Sequence, residues 1–77
     1  MLTKIDAQII EGIAAGLSTV PVALRLNLGR QGVEYHVTSL LSKLKAPSRT
    51  ALISRAYAMG VLNVGAWPPK VLEDFIK

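Results

Sequence analysis

The 77-residue sequence predicts an all-α fold: four helices built around a helix-turn-helix, with a short C-terminal extension. Three observations predict it. Apolar residues recur at intervals of three and four through the segments ending near residues 16, 26, 45 and 59. Residues suited to starting or stopping helices, namely Thr3, Gly16, Ser18, Gly29, Pro47, Ser48 and Gly60, fall between those segments. At the centre, Asn27-Leu28-Gly29 separates a short helix from a longer one. Asn and Gly tolerate the backbone conformations of a tight turn, and a short Gly-containing connection is what a helix-turn-helix needs.

The elements follow in order. Thr3 with Asp6 three residues on forms a capping box with Asp in place of the usual Glu, and opens the first helix. Ile5, Ile9, Ile10 and Ile13 are expected on its buried side, with Gly16 just past its end. Ser18 or Thr19 caps the second helix, predicted over Thr19–Leu26, and Pro21 lies in its first turn where a missing N–H does no harm. Val22, Ala23, Leu24 and Leu26 supply its apolar surface. The third helix is predicted from Arg30 to about Lys45 with Gly29 as N-cap, and Val33, Val37, Leu40 and Leu44 form one apolar stripe. The fourth, Arg49–Met59, is capped by Ser48 and closed by Gly60. Leu52, Ala56 and Met59 make one strip on it, and Ile53, Tyr57 and Gly60 a second, rotated away. The tail changes character: NVGAWPP cannot be regular helix, while PPKVLEDFIK is compatible with a short final helix with Pro69 in its first turn. The tail, including Trp67, either folds back onto the domain or meets a partner. The expected division is a helix-turn-helix domain over 1–62 and an extension over 63–77.

Composition bounds the function. A chain of this length is one domain near the lower limit for a self-sufficient core. With no Cys it has neither a disulfide framework nor a thiolate metal site. Its longest uncharged runs, Gly12–Leu24 and Ala56–Pro69, are too short and interrupted to span a bilayer, and MLTKIDAQ is unlike a secretory signal. A cytoplasmic, nucleoid-associated location is the expectation. The net charge of +4 is concentrated. Between Arg25 and Arg55 six basic residues face Glu34 alone, which favours a polyanionic partner. His36 is the only histidine, and neither a phosphate-binding Gly-rich loop nor a nucleophile with a nearby base is present, so no catalytic residue, metal site or cofactor is expected.

The side of the third helix away from its apolar stripe carries Arg30, Gln31, Glu34, Tyr35, Thr38 and Ser42. A face of mostly neutral hydrogen-bonding groups flanked by basic residues suits base edges bordered by phosphates, or is simply a solvated helix face.

Residues 2–62 resemble the LuxR/GerE-type helix-turn-helix domain of bacterial transcriptional regulators. The resemblance rests on Leu2-Thr3, Ala14-Ala15-Gly16-Leu17-Ser18, Val22-Ala23, Leu26, Val33, His36, Lys43-Leu44, Arg49, Ala51, Ala56 and Gly60-Val61-Leu62, in order and without a gap. It implies a four-helix domain whose third helix enters the major groove of double-stranded DNA and whose fourth mediates homodimerisation. Arg30, Gln31, Glu34, Tyr35 and Thr38 would face bases, Lys43 and Arg49 phosphates, and Ile53 and Tyr57 a second subunit. The chain departs from the family pattern at Gly32, Glu34 and Gly29, where the family has Thr, Lys and Ser. Glu34 repels phosphate but can accept a hydrogen bond from cytosine N4. The implied function is a sequence-specific transcriptional regulator; the alternative is an interaction module of the same fold that docks another regulator or RNA polymerase. Because the chain starts at the module with Met1, a stand-alone regulator without a sensing domain is one expectation and a fragment the other.

Overall fold

The computed structural model describes residues 2–77. Among these residues the chain forms four α-helices, α1 (Lys4–Ala14), α2 (Thr19–Leu26), α3 (Arg30–Lys43) and α4 (Arg49–Ala58), followed by a 3-10 turn at Glu73–Phe75. The all-α expectation is met. α1 begins with the capping box: the Thr3 hydroxyl accepts from the Asp6 N–H at 3.0 Å, and Asp6 Oδ2 accepts from the Thr3 N–H at 3.1 Å. Ser48 caps α4 by accepting from the Ala51 N–H at 3.2 Å. Ser18 and Gly29 stand at the N-caps of α2 and α3 without a side-chain cap bond.

All four helices close in the same way. Each is followed by a residue in the left-handed region, Gly16 (φ 92°), Asn27 (φ 56°), Lys45 (φ 53°) and Gly60 (φ 78°). In each case the next N–H reaches back to a carbonyl five residues earlier: Leu17 to Gly12, Leu28 to Ala23, Ala46 to Leu41 and Val61 to Ala56, at 2.8–3.0 Å. This is the Schellman closure, which satisfies carbonyls that the helix end leaves open. It explains why α3 is shorter than expected: a left-handed Lys45 cannot belong to it. In the central turn Asn27 makes the reversal, and Gly29 is extended (φ −72°).

The core joins Ile9 and Ile10 of α1, Val22 and Ala23 of α2, Val33, Val37 and Leu40 of α3, and Leu52 and Ala56 of α4, with Leu2, Leu44, Val61, Leu62 and Val71 completing it. Periodicity assigned too much to burial at the edges. Ile5 (37% exposed), Leu24 (78%) and Met59 (47%) lie at the surface, because no element of the described chain covers those ends of their stripes.

The tail folds back, and the short final α-helix that its pattern allows does not form. Only the three-residue turn at Glu73–Phe75 is helical. Its backbone donors are committed elsewhere: the Val71 N–H donates to Glu11 Oε2 at 2.8 Å and the Leu72 N–H to the Val61 carbonyl at 2.9 Å. Leu62 and Val71 form an antiparallel bridge, and Leu2 and Ile76 a parallel one. Leu2 donates to the Phe75 carbonyl and accepts from the Lys77 N–H, so the two terminal segments hold each other. Val71 and Pro69 are buried, whereas Trp67, for which the sequence leaves both folding inward and meeting a partner open, is 76% exposed.

Candidate functional site

The outer side of α3 is where the candidate residues meet. Val33, Val37 and Leu40 turn into the core, and this directs Arg30, Gln31, Glu34, Tyr35, Thr38 and Ser42 to solvent along one continuous strip. Arg30, Gln31 and Glu34 line a shallow depression of about 610 Å³ at its start. Tyr35 stands 73% exposed, with its ring edge-on to His36 at 5.6 Å between centroids. Gly32 supplies no side chain to the strip; a Cβ there would meet only Leu28, at 3.7 Å.

Glu34 is not free on this surface. The Thr19 hydroxyl donates to Glu34 Oε2 at 2.7 Å, and Arg49 Nη2 donates to that same oxygen and to Thr19 Oγ1, the latter at 3.1 Å. Three helices therefore meet at one carboxylate oxygen. The hydrogen bonds from Arg49 and Thr19 hold the Glu34 carboxyl below the usual carboxylate range. Thr19 escaped the sequence reading, which treated it only as a possible helix cap. The available signal was Glu34 itself, the single acid among six bases between residues 25 and 55.

Lys43 is likewise engaged. Its ammonium donates to Asp6 Oδ2 at 3.0 Å, beside His36 Nδ1, which lies 3.6 Å from Asp6 Oδ1. His36 is half-buried, next to this carboxylate. Arg55 donates through Nε to the Leu44 carbonyl at 2.5 Å, adding a cation at the C-terminal end of α3. Of the basic residues around the helix-turn-helix, Lys43, Arg49 and Arg55 thus have internal partners. Ile53 and Tyr57 of α4 are half-buried and pack against the core. A groove of about 260 Å³ beside Ile53 is lined by Ile13, Ala14, Arg49 and Thr50.

Comparison with known proteins decides what this arrangement is. The family described as bacterial regulatory proteins, luxR family, matches residues 1–56. The chain belongs to the luxR family of bacterial regulatory proteins. As a luxR-family domain it is a regulator's module and not an enzyme. It is 32% identical over 63 residues to the transcriptional regulatory protein YdfI of Bacillus subtilis, covering 82% of this chain and 30% of that protein. It is 32% identical over 62 residues to the transcriptional regulatory protein ComA of the same organism, covering 80% of this chain and 29% of that protein. The chain therefore spans less than a third of the length of the curated relatives it matches. No solved structure matched it. Among the described residues, no helix is long and apolar enough to cross a membrane.

Proposed function

We propose that this luxR-family domain binds duplex DNA sequence-specifically as a transcriptional regulator, with α3 in the major groove. The observation that carries this reading is the uninterrupted exposed strip Arg30–Gln31–Glu34–Tyr35–Thr38 on a helix whose opposite side is fully committed to the core. A helix fits the major groove, and this strip presents donors, acceptors and one aromatic side chain to base edges. Arg49 at the α4 start and Lys43 at the α3 end flank the strip and supply phosphate contacts once their internal partners yield. Ile53 and Tyr57 provide a homodimer contact that sets two recognition helices on half-sites about one helical turn apart. The protein acts in the cytoplasm, on the nucleoid.

A pool of randomised duplexes, bound at two salt concentrations and sequenced, tests this. The expected result is a recovered palindrome and binding that weakens steeply with salt. Tyr35→Ala and Thr38→Ala should each weaken binding to the selected site by roughly tenfold, the lower part of the 1–3 kcal/mol carried by good base contacts, without lowering the melting temperature. Absence of both enrichment and salt sensitivity would overturn it.

A second reading, a module of the same fold that docks another regulator or RNA polymerase, is favoured by Trp67, which stands 76% exposed on the tail. Under it, the Tyr35 and Thr38 substitutions leave the partner complex intact and Trp67→Ala removes it.

A further inference from the structure

The junction of α2, α3 and α4 holds a cluster that groove recognition alone does not explain. Arg49 directs one guanidinium nitrogen at both Thr19 Oγ1 and Glu34 Oε2, and Thr19 completes the triangle with its own bond to Glu34 Oε2. A guanidinium and a hydroxyl converging on one anionic oxygen are the donor set that grips a phosphodiester. Here the anionic oxygen is supplied by the protein. The pair is open to water, the Arg49 side chain being 35% and the Glu34 side chain 51% exposed. Ion pairs this exposed contribute little to stability and exchange partners readily. Glu34 also shares the exposed strip of α3 with Arg30, one turn earlier, so leaving Arg49 does not take it away from positive charge.

We propose that the Glu34 carboxylate is an internal stand-in for a DNA phosphate, filling the Thr19–Arg49 notch in the free protein and giving way to a backbone phosphate when duplex DNA binds. The proposal rests on the DNA-binding reading above and adds a control to the same surface. Engaging Arg49 exchanges one anion for another, so that contact brings little net attraction to arbitrary DNA. The released Glu34 then offers an acceptor to the groove. A cytosine amino group satisfies it, and a sequence without a donor there leaves the carboxylate with no hydrogen-bond partner on the DNA. One exchange thereby suppresses non-specific binding and rewards a matching base.

The test compares wild type, Glu34→Gln, Arg49→Gln and the double variant by fluorescence anisotropy with a random-sequence duplex at two salt concentrations. Gln keeps the shape of Glu and removes its charge. Glu34→Gln should bind the random duplex roughly tenfold tighter at low salt, with a log–log salt slope steeper by about one, because one more cation is available to displace counterions. In the Arg49→Gln background that gain should vanish. An equal gain in both backgrounds would mean plain removal of a negative charge and would overturn the exchange, as would no gain at all. A measurement on the wild type needs no variant to fold: on saturation with duplex, the NMR signals of the Arg49 guanidinium and the Glu34 carboxyl carbon should both move, and a bound state that leaves Glu34 unshifted refutes the proposal. If wild type and Glu34→Gln both lack salt-sensitive binding to any duplex, the DNA-binding reading itself falls. Wild-type binding with no effect of Glu34→Gln removes the exchange alone.

Discussion

The Lys43 ammonium donates to Asp6 Oδ2 at 3.0 Å, so the last turn of α3 is fastened to the first turn of α1 through a carboxylate whose side chain is only 3% exposed. Burial pushes the Asp6 carboxyl up, but the bonds from Lys43 and from the Thr3 backbone and hydroxyl together outweigh it and hold the group below its ordinary value of 3.8. A depressed folded-state value means that the unfolded chain takes up the proton first. The stabilisation is therefore full above the ordinary value and is lost as pH falls through the lower, folded one. Asp6→Asn should lower stability by about 1–3 kcal/mol at neutral pH, as expected for breaking a hydrogen-bonded buried carboxylate. Urea denaturation from pH 7 to pH 2 should show the gap between wild type and variant closing on the acid side. A gap that stays constant would deny Asp6 this role.

Gly12 of α1 faces Val22 of α2. A Cβ built on it would come within 2.9 Å of Val22 Cγ2, and Val22 is only 2% exposed. Two effects of Gly12→Ala oppose each other. Helix propensity gains about 1 kcal/mol, whereas forcing a methyl into a filled core costs about 1–3 kcal/mol. Val22 is β-branched and confined to one rotamer in a helix, so it cannot swing aside, and the clash should win. Thermal melts should place Gly12→Ala below wild type. Pairing it with Val22→Ala should give a smaller loss than the two single losses summed; strict additivity would show that the contact does not limit packing.

Sequence made some of this legible and not the rest, for a physical reason. Helix starts and the glycine closures are local events: Thr3 with Asp6, Ser48 with Ala51, and Gly16 and Gly60 are settled by neighbours a few residues away. The strip on α3 followed from its apolar stripe, since one side of a helix defines the other. The bonds that join helices depend on partners far along the chain. Thr19 meets Glu34 and Arg49 only after three helices have packed, and Lys43 reaches an aspartate 37 residues away. The tail misled for the same reason. Its pattern fits a helix, but the Val61 carbonyl, 11 residues earlier, captures the Leu72 N–H that such a helix would use, while Glu11, 60 residues earlier, holds the Val71 N–H.

Lys45 is the one C-terminal closure made by a residue poorly suited to it. Its φ of 53° is left-handed, where an ordinary side chain costs about 1–2 kcal/mol, and Gly fills the same place after α1 and α4. Lys45 is exposed, so a change there disturbs no packing. Lys45→Gly should stabilise by about 0.5–1 kcal/mol after the greater entropy of glycine in the unfolded chain is subtracted. In a domain of this size that raises the melting temperature by roughly 2–8 °C. Lys45→Ala removes the same charge but keeps the Cβ, and should give no such rise. If Ala stabilised as well as Gly, the cause would be charge and not backbone conformation.

The tail is part of the folded core. Val71 is 6% exposed, pairs with Leu62 across an antiparallel bridge, and donates its N–H to Glu11; Phe75 and Lys77 bond to Leu2 on either side. Val71→Ala removes two buried carbons, about 1.6 kcal/mol at roughly 0.8 each, and should lower the melting temperature by several degrees. Removing residues 63–77 altogether should be more damaging, because it uncovers Leu2, Val61 and Leu62 and leaves the Glu11 carboxylate without its backbone donor. Melting by circular dichroism, paired with mass by light scattering, separates this from a role between subunits. A core role lowers the melting temperature at unchanged mass, and an intersubunit role changes the mass. A truncated chain that melts with wild type would show that the helices close without the tail. Val71 would then be a passenger, and the Glu11 bond a consequence of folding.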